Sequence, residues 1–216
     1  MNRLWFQRYL VPGLVGFFVL LYVLDTDLYD GVLDEDGPTE WLTFLCLMTS
    51  TVLAWRITRR LRGSGDVRRW FFIAFCLGSL LAGLEEISWG QRLLGIESPE
   101  FFMERSDQEE INIHNVLQPT LNLKTKHVAG IVLALYGVAL PLLVRSVPSV
   151  ASLCARFGLV VPPMTMLASW LLAGLMMIDE PSGYEEEIGE FLFSVCFVLL
   201  MVAHQNEEAV RDLDDG

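Results

Sequence analysis

Lysine is nearly absent from this chain: Lys124 and Lys126 are the only two, beside three histidines and four cysteines in 216 residues. Acidic residues number 27 against 15 basic ones, for a formal net charge of −12 and a pI near 4.6. That balance excludes a nucleic-acid partner, because binding a phosphate backbone needs clustered Lys and Arg on an accessible face. A high-salt habitat would produce the same acid excess. Cys46, Cys76, Cys154 and Cys196 form no C-x-x-C pair, so neither a zinc ribbon nor a disulfide framework is indicated and they read as small apolar packing groups. The chain has no G-x-S-x-G, no H-E-x-x-H and no phosphate-binding glycine loop, so the usual hydrolase and nucleotide signatures are missing. No repeat or linker divides it, and 1–216 reads as a single integral membrane domain.

What the chain has in abundance is apolar sequence. Hydrophobic residues make up 53% and the mean hydropathy is +0.43, arranged in long uncharged blocks rather than amphipathic stripes. The fold class is therefore all-α, a polytopic transmembrane helical bundle. Runs of about 17 to 25 residues, enough to cross about 30 Å of hydrocarbon, predict about six spans. They cover Tyr9 to Leu24, Glu40 to Ile57, Arg69 to Ser88, His127 to Val144, Pro162 to Ile178 and Glu187 to His204, with a long outer loop over 89–126. Trp41, Trp55, Trp70 and Trp89 fall near span ends, as an aromatic belt requires. Gly78 with Ala82 and Ser79 with Gly83 are small-x-x-x-small pairs that let a neighbouring helix approach the third span.

The arginines give an orientation. Arg56, Arg59, Arg60, Arg62, Arg68 and Arg69 surround the loop after the second span, whereas the preceding loop is rich in aspartate, so the arginine loop is expected in the cytoplasm of a cell membrane. Threading alternate spans puts both termini on the same side. The first apolar run starts after Arg8 and no small-residue cleavage site follows it, so it is expected to remain as a span rather than be removed as a signal. The acidic tail from Glu207 to Gly216 reads as a frayed, solvated end.

Four polar patches meet on the opposite face. Ionisable groups at membrane depth are costly unless they meet water, a metal or a partner, which makes them functional candidates. Before the second span stand Asp34, Glu35, Asp36 and Glu40, with Thr39 or Asp36 as candidate caps; such acids also suit a helix N-terminus without any further role. At the end of the third span, continuing helix would put Glu85, Ser88, Trp89 and Arg92 on one face, with Glu86 turned toward Gly90 and Leu93. Either a structural network with Arg92 or acid–base work and metal ligation would use that pair. In the outer loop, Glu110 and His114 share one side in a helix, and Glu110, Asn112 and His114 share one side in an extended strand; Glu109, Asn112 and Asn115 bracket them. The fourth patch joins Asp179 and Glu180 to Glu185, Glu186, Glu187 and Glu190. Glu190 is expected to face the bundle interior, and Glu185 to Glu187 to form a solvated turn. His127 reads as a span-end residue and His204 as an interfacial residue on the inner face.

The runs E-D-G-P-T-E-W-L at Glu35 to Leu42, E-E-I-S-W-G-Q-R at Glu85 to Arg92 and N-I-H-N at Asn112 to Asn115 resemble a family of uncharacterised prokaryotic integral membrane proteins. That resemblance implies a membrane location and no particular reaction. An analogy to alkaline ceramidase-like membrane hydrolases rests on acidic motifs beside early spans. It lacks their H-x-x-x-H and several histidines, so any metal here would be a hard divalent ion held mainly by oxygen.

These readings predict an enzyme acting on a lipid or lipid-linked substrate, with Glu85, Glu86, Glu110 and His114 as catalytic candidates. Trp89, Gln91, Arg92, Asn112, Asn115, Glu40 and Glu190 would bind substrate or support the network, and Glu86, Glu110 and His114 would hold the metal. Two alternatives remain: a proton- or cation-coupled carrier, and a non-catalytic accessory subunit whose patches are covered by a membrane-protein partner.

Overall fold

Inside hydrocarbon a chain has no water to satisfy its peptide groups, so it must close its backbone hydrogen bonds within each segment. The computed structural model describes residues 3–34, 37–95, 97–99 and 125–214. Every regular element among the described residues is helical. The long elements are α1 (Arg3–Leu24), α3 (Pro38–Arg60), α4 (Arg68–Glu86) and α9 (Glu185–Asp214). Helix α6 begins as Thr125–Ala134, passes through a π-helical turn at Leu135–Ala139 and ends as Leu140–Ser146. Shorter pieces are α2 (Thr26–Leu33), α5 (Gln91–Leu94), α7 (Pro148–Phe157) and α8 (Leu167–Met176).

Four stretches are long and apolar enough to cross a membrane: Trp5–Leu24, Pro38–Arg60, Lys126–Ser146 and Glu185–Gln205. The other two expected spans fall on α4 and α8. Helix α4 carries charge at both ends, Arg68 and Arg69 at one and Glu85 and Glu86 at the other. Helix α8 is short even with the 3₁₀ turn before it, the apolar helix running Met164–Met176.

The bundle is organised around α9. Its span is 61% buried, against 11% to 33% for the other three, because α3, α8, α1 and α6 all pack on it. Ile188, Leu192, Cys196, Leu200 and Met201 fill that core. The outer helices point Phe17, Leu20, Val23, Ile131 and Leu135 away from the protein, a surface suited to lipid and to no aqueous one.

Small residues set how closely the helices meet. A Cβ on Gly137, inside the π turn, would collide with the ring of the fully buried Trp170. One on Gly174 would lie 2.9 Å from Ala134 Cβ, and one on Gly83 3.3 Å from Leu47 Cβ. Of the two expected small-residue pairs on the third span, only Ser79 with Gly83 faces a neighbour. Both are buried, whereas Gly78 has nothing within 4 Å and Ala82 is exposed.

Two short helices lie where plain loops were expected. Asp25 caps α2 by accepting from Leu28 N at 3.0 Å, and Tyr29 and Leu33 anchor it. Helix α7 starts on Pro148 and stops at Gly158 (φ +66), whose backbone lies so close to Val67 and Arg68 that no side chain fits between. Helix α9 runs to Asp214 rather than ending at His204. At this end of the bundle Arg68 Nε donates to Asp66 Oδ2 at 2.9 Å, and Arg68 Nη1 lies 3.1 Å from His204 Nε2. The guanidinium hydrogen bond holds the Asp66 carboxyl below its usual range.

Gly137→Leu should lower thermal stability in detergent by at least about 1–3 kcal/mol through overpacking, while Gly78→Ala should leave it unchanged or slightly raised; equal effects would disprove the packing assignment. Because the folded-state value of Asp66 is depressed, its contribution is full above the unfolded carboxylate pKa of about 3.9 and fades as pH falls below it. An acid titration of the unfolding midpoint should therefore show a shallower loss in Asp66→Asn than in the natural chain.

Candidate functional site: a lysine among carboxylates

The ends of α3, α4, α6 and α9 converge at the pole opposite Asp66. Pro38 occupies the first turn of α3, where its missing N–H costs nothing, and Glu40 follows in the same turn. Thr39 is not the cap. Gly37 holds that position without a side-chain bond, and Thr39 Oγ1 donates instead to Val32 O at 2.9 Å, tying α3 to α2.

Helix α4 stops at Glu86, earlier than the continuous helix predicted. Ser88 (φ 45), Trp89 (φ 57) and Gly90 (φ 75) then adopt left-handed backbone, which for the two non-glycine residues costs on the order of 1–2 kcal/mol each. The expected face of Glu85, Ser88, Trp89 and Arg92 therefore does not exist. The reversal instead folds Trp89 back, so that its Nε1 donates to Glu85 Oε1 at 2.7 Å. Gln91 turns away to donate to Ser98 Oγ at 2.6 Å.

On α9 the acids have divided roles. Glu185 is buried, not solvated, and accepts from Ser182 N at 3.1 Å, Gly183 N at 3.0 Å and Ser182 Oγ at 2.8 Å. The same Ser182 hydroxyl lies 3.0 Å from Tyr29 Oη, so α2 is latched to the start of α9. Burial raises the Tyr29 phenol above its ordinary value. Asp179 Oδ1 accepts from Glu186 N at 3.3 Å and closes the turn.

Glu186 and Glu190 are one helical turn apart and project along one side of α9, with Glu187 beside them. Into this side reaches Lys126, from the first turn of α6. Its Nζ lies 3.1 Å from Glu187 Oε1, 3.2 Å from Glu190 Oε2 and 4.0 Å from Glu186 Oε1. His127, the next residue, places Nδ1 3.8 Å from Glu186 Oε2, so it is part of the group rather than a plain span-end residue. Glu86 sits within electrostatic reach of Glu190, Lys126, Glu187 and Glu40. One ammonium thus answers several carboxylates that the bundle draws out of water.

Glu40 and Glu190 lie within electrostatic reach of Glu86, while Glu85, Trp89 and Gln91 make local contacts. Glu35, Asp36, Glu109, Glu110, Asn112, His114, Asn115 and the Arg92 side chain lie outside the described residues. Of the metal set Glu86, Glu110 and His114, only Glu86 is described. Among the described residues no three or more His, Cys, Asp or Glu side chains have metal-holding geometry. Lys126 was missed as a site residue. The available signal was its rarity, together with its position at the acid-rich end of an apolar span.

No protein-family model, curated protein or solved structure matches this chain.

Lys126→Met should destabilise the protein by on the order of 2 kcal/mol, a value below that of a fully buried pair because the cluster is partly solvated. The double variant Lys126→Met/Glu190→Gln should regain part of the loss in a thermal denaturation series. Strict additivity of the two substitutions would show that the ammonium and Glu190 do not interact.

Proposed function

We propose that this is a multi-pass membrane protein whose carboxylate–lysine centre binds and releases protons or small cations, in the manner of a proton- or cation-coupled carrier. The observation that carries this reading is the Lys126 ammonium held 3.1 Å and 3.2 Å from Glu187 and Glu190, with Glu186 at 4.0 Å. Like-charged carboxylates sharing one site of low dielectric do not all remain ionised without compensation. Lys126 supplies one positive charge, and the remaining surplus makes the centre a taker of protons or cations. When a cation enters, Lys126 gives up part of its hold on Glu187 or Glu190, and a proton leaves the Glu86–Glu190 side to keep the charge constant.

The same reading places the chain across the membrane about six times, with α4 and α8 as the two weaker crossings. The arginine-bearing pole lies in the cytoplasm with both termini, and the carboxylate–lysine pole lies on the outer face.

The test uses proteoliposomes loaded with a pH-sensitive dye and given an imposed sodium or potassium gradient. The natural chain should change the luminal pH, and Glu190→Gln or Glu86→Gln should lower the rate at least tenfold while keeping the protein folded. If the natural chain moves no protons and the variants behave like it, the carrier reading fails. The lipid-substrate enzyme then becomes the next hypothesis, with His114→Ala as its probe.

A further inference from the structure

The opposite pole carries a second, basic feature. From Trp41 to Leu84 the sequence contains a single acid, Asp66, and Arg68 already occupies it through hydrogen bonds of 2.9 Å and 3.1 Å. The neighbouring Arg69 has no such partner at its Nε, which is shielded from solvent without a hydrogen bond among the described residues. A guanidinium N–H left so is costly, and since the side chain as a whole is only half-buried, a small turn of it toward an acceptor at the surface would relieve that cost. The guanidinium stands 6.0 Å from the ring centroid of Trp70.

Packing brings a second arginine to this corner. Gly158 seats the end of α7 on the backbone of Val67 and Arg68, so Arg156 and Phe157 lie within two residues of that contact with the start of α4. Arg156 is exposed, and Trp70 and Phe157 are each 69% exposed. Aromatic rings beside arginines at the end of an apolar span belong at headgroup depth, with the rings toward the glycerol and the cations toward phosphate. A planar guanidinium matches phosphate oxygens better than an ammonium does.

We propose that the corner between the start of α4 and the end of α7 binds the phosphate of an anionic phospholipid through Arg69 and Arg156, with Trp70 and Phe157 against the lipid body. This rests on the chain lying in a membrane, not on proton or cation binding at the other pole.

Thermal unfolding in a neutral detergent tests it, with added phosphatidylglycerol, phosphatidylcholine or inorganic phosphate at matched ionic strength. Phosphatidylglycerol should raise the midpoint saturably; phosphatidylcholine and free phosphate should not. The rise should disappear in Arg69→Gln and in Arg156→Gln and persist in Arg59→Gln, at the end of α3. Should Arg69→Gln fail to fold, Arg156→Gln decides alone, since its side chain is exposed. An equal rise with phosphatidylcholine or free phosphate, or a rise kept in Arg156→Gln, overturns the proposal. So does an equal loss in Arg59→Gln, which would mean attraction to basic charge in general.

Discussion

The charge contact between Lys126 and the carboxylates of α9 is the constraint around which this pole of the bundle is arranged. Several acids at the end of an apolar bundle repel one another and lose hydration, and a single ammonium among them offsets part of both costs. The contact also ties the first turn of α6 to the first turns of α9, while the ends of α3 and α4 bring Glu40 and Glu86 to the same place. Ion pairs of this kind contribute little net stability beside an apolar replacement.

Helix α9 connects this centre to the rest of the molecule. It is both the most enclosed helix and the one bearing Glu190 and His204, separated by roughly 21 Å of helix at about 1.5 Å per residue. The two positions thus stand in opposite chemistries, carboxylates with one ammonium around Glu190 and Arg68 beside His204. Between them the core is largely Leu, Phe, Met and Cys. That apolar core separates the two poles, and any polar path between them would require the helices around α9 to shift. The close contacts at Gly137, Gly174 and Gly83 are where such a shift would be resisted most.

The latch at Tyr29, Ser182 and Glu185 explains why the acids of α9 differ in role despite being neighbours. Glu185 is consumed in satisfying the backbone of Ser182 and Gly183, which fixes where the helix begins. Once that start is set, the helical period decides that Glu186 and Glu190 share a side and that Glu187 flanks them. A start displaced by one residue would turn the group by about 100° and remove Lys126 from it.

Composition and run length by themselves determined the all-α membrane class, because apolar blocks of this length have few other stable solutions. They also singled out Glu86 and Glu190 as candidates, since both interrupt apolar sequence at a cost in free energy. Periodicity failed at Ser88 and Trp89, where left-handed backbone ends α4, because a helix pattern extrapolates across a reversal it cannot contain. It likewise could not separate Gly83, pressed against α3, from Gly78, which meets nothing, as both small residues look alike until a neighbouring helix is in place. The role of Lys126 was decided by tertiary structure alone. Its partners are some 60 residues away, and a charge's meaning in low dielectric is set by what lies within a few ångströms of it.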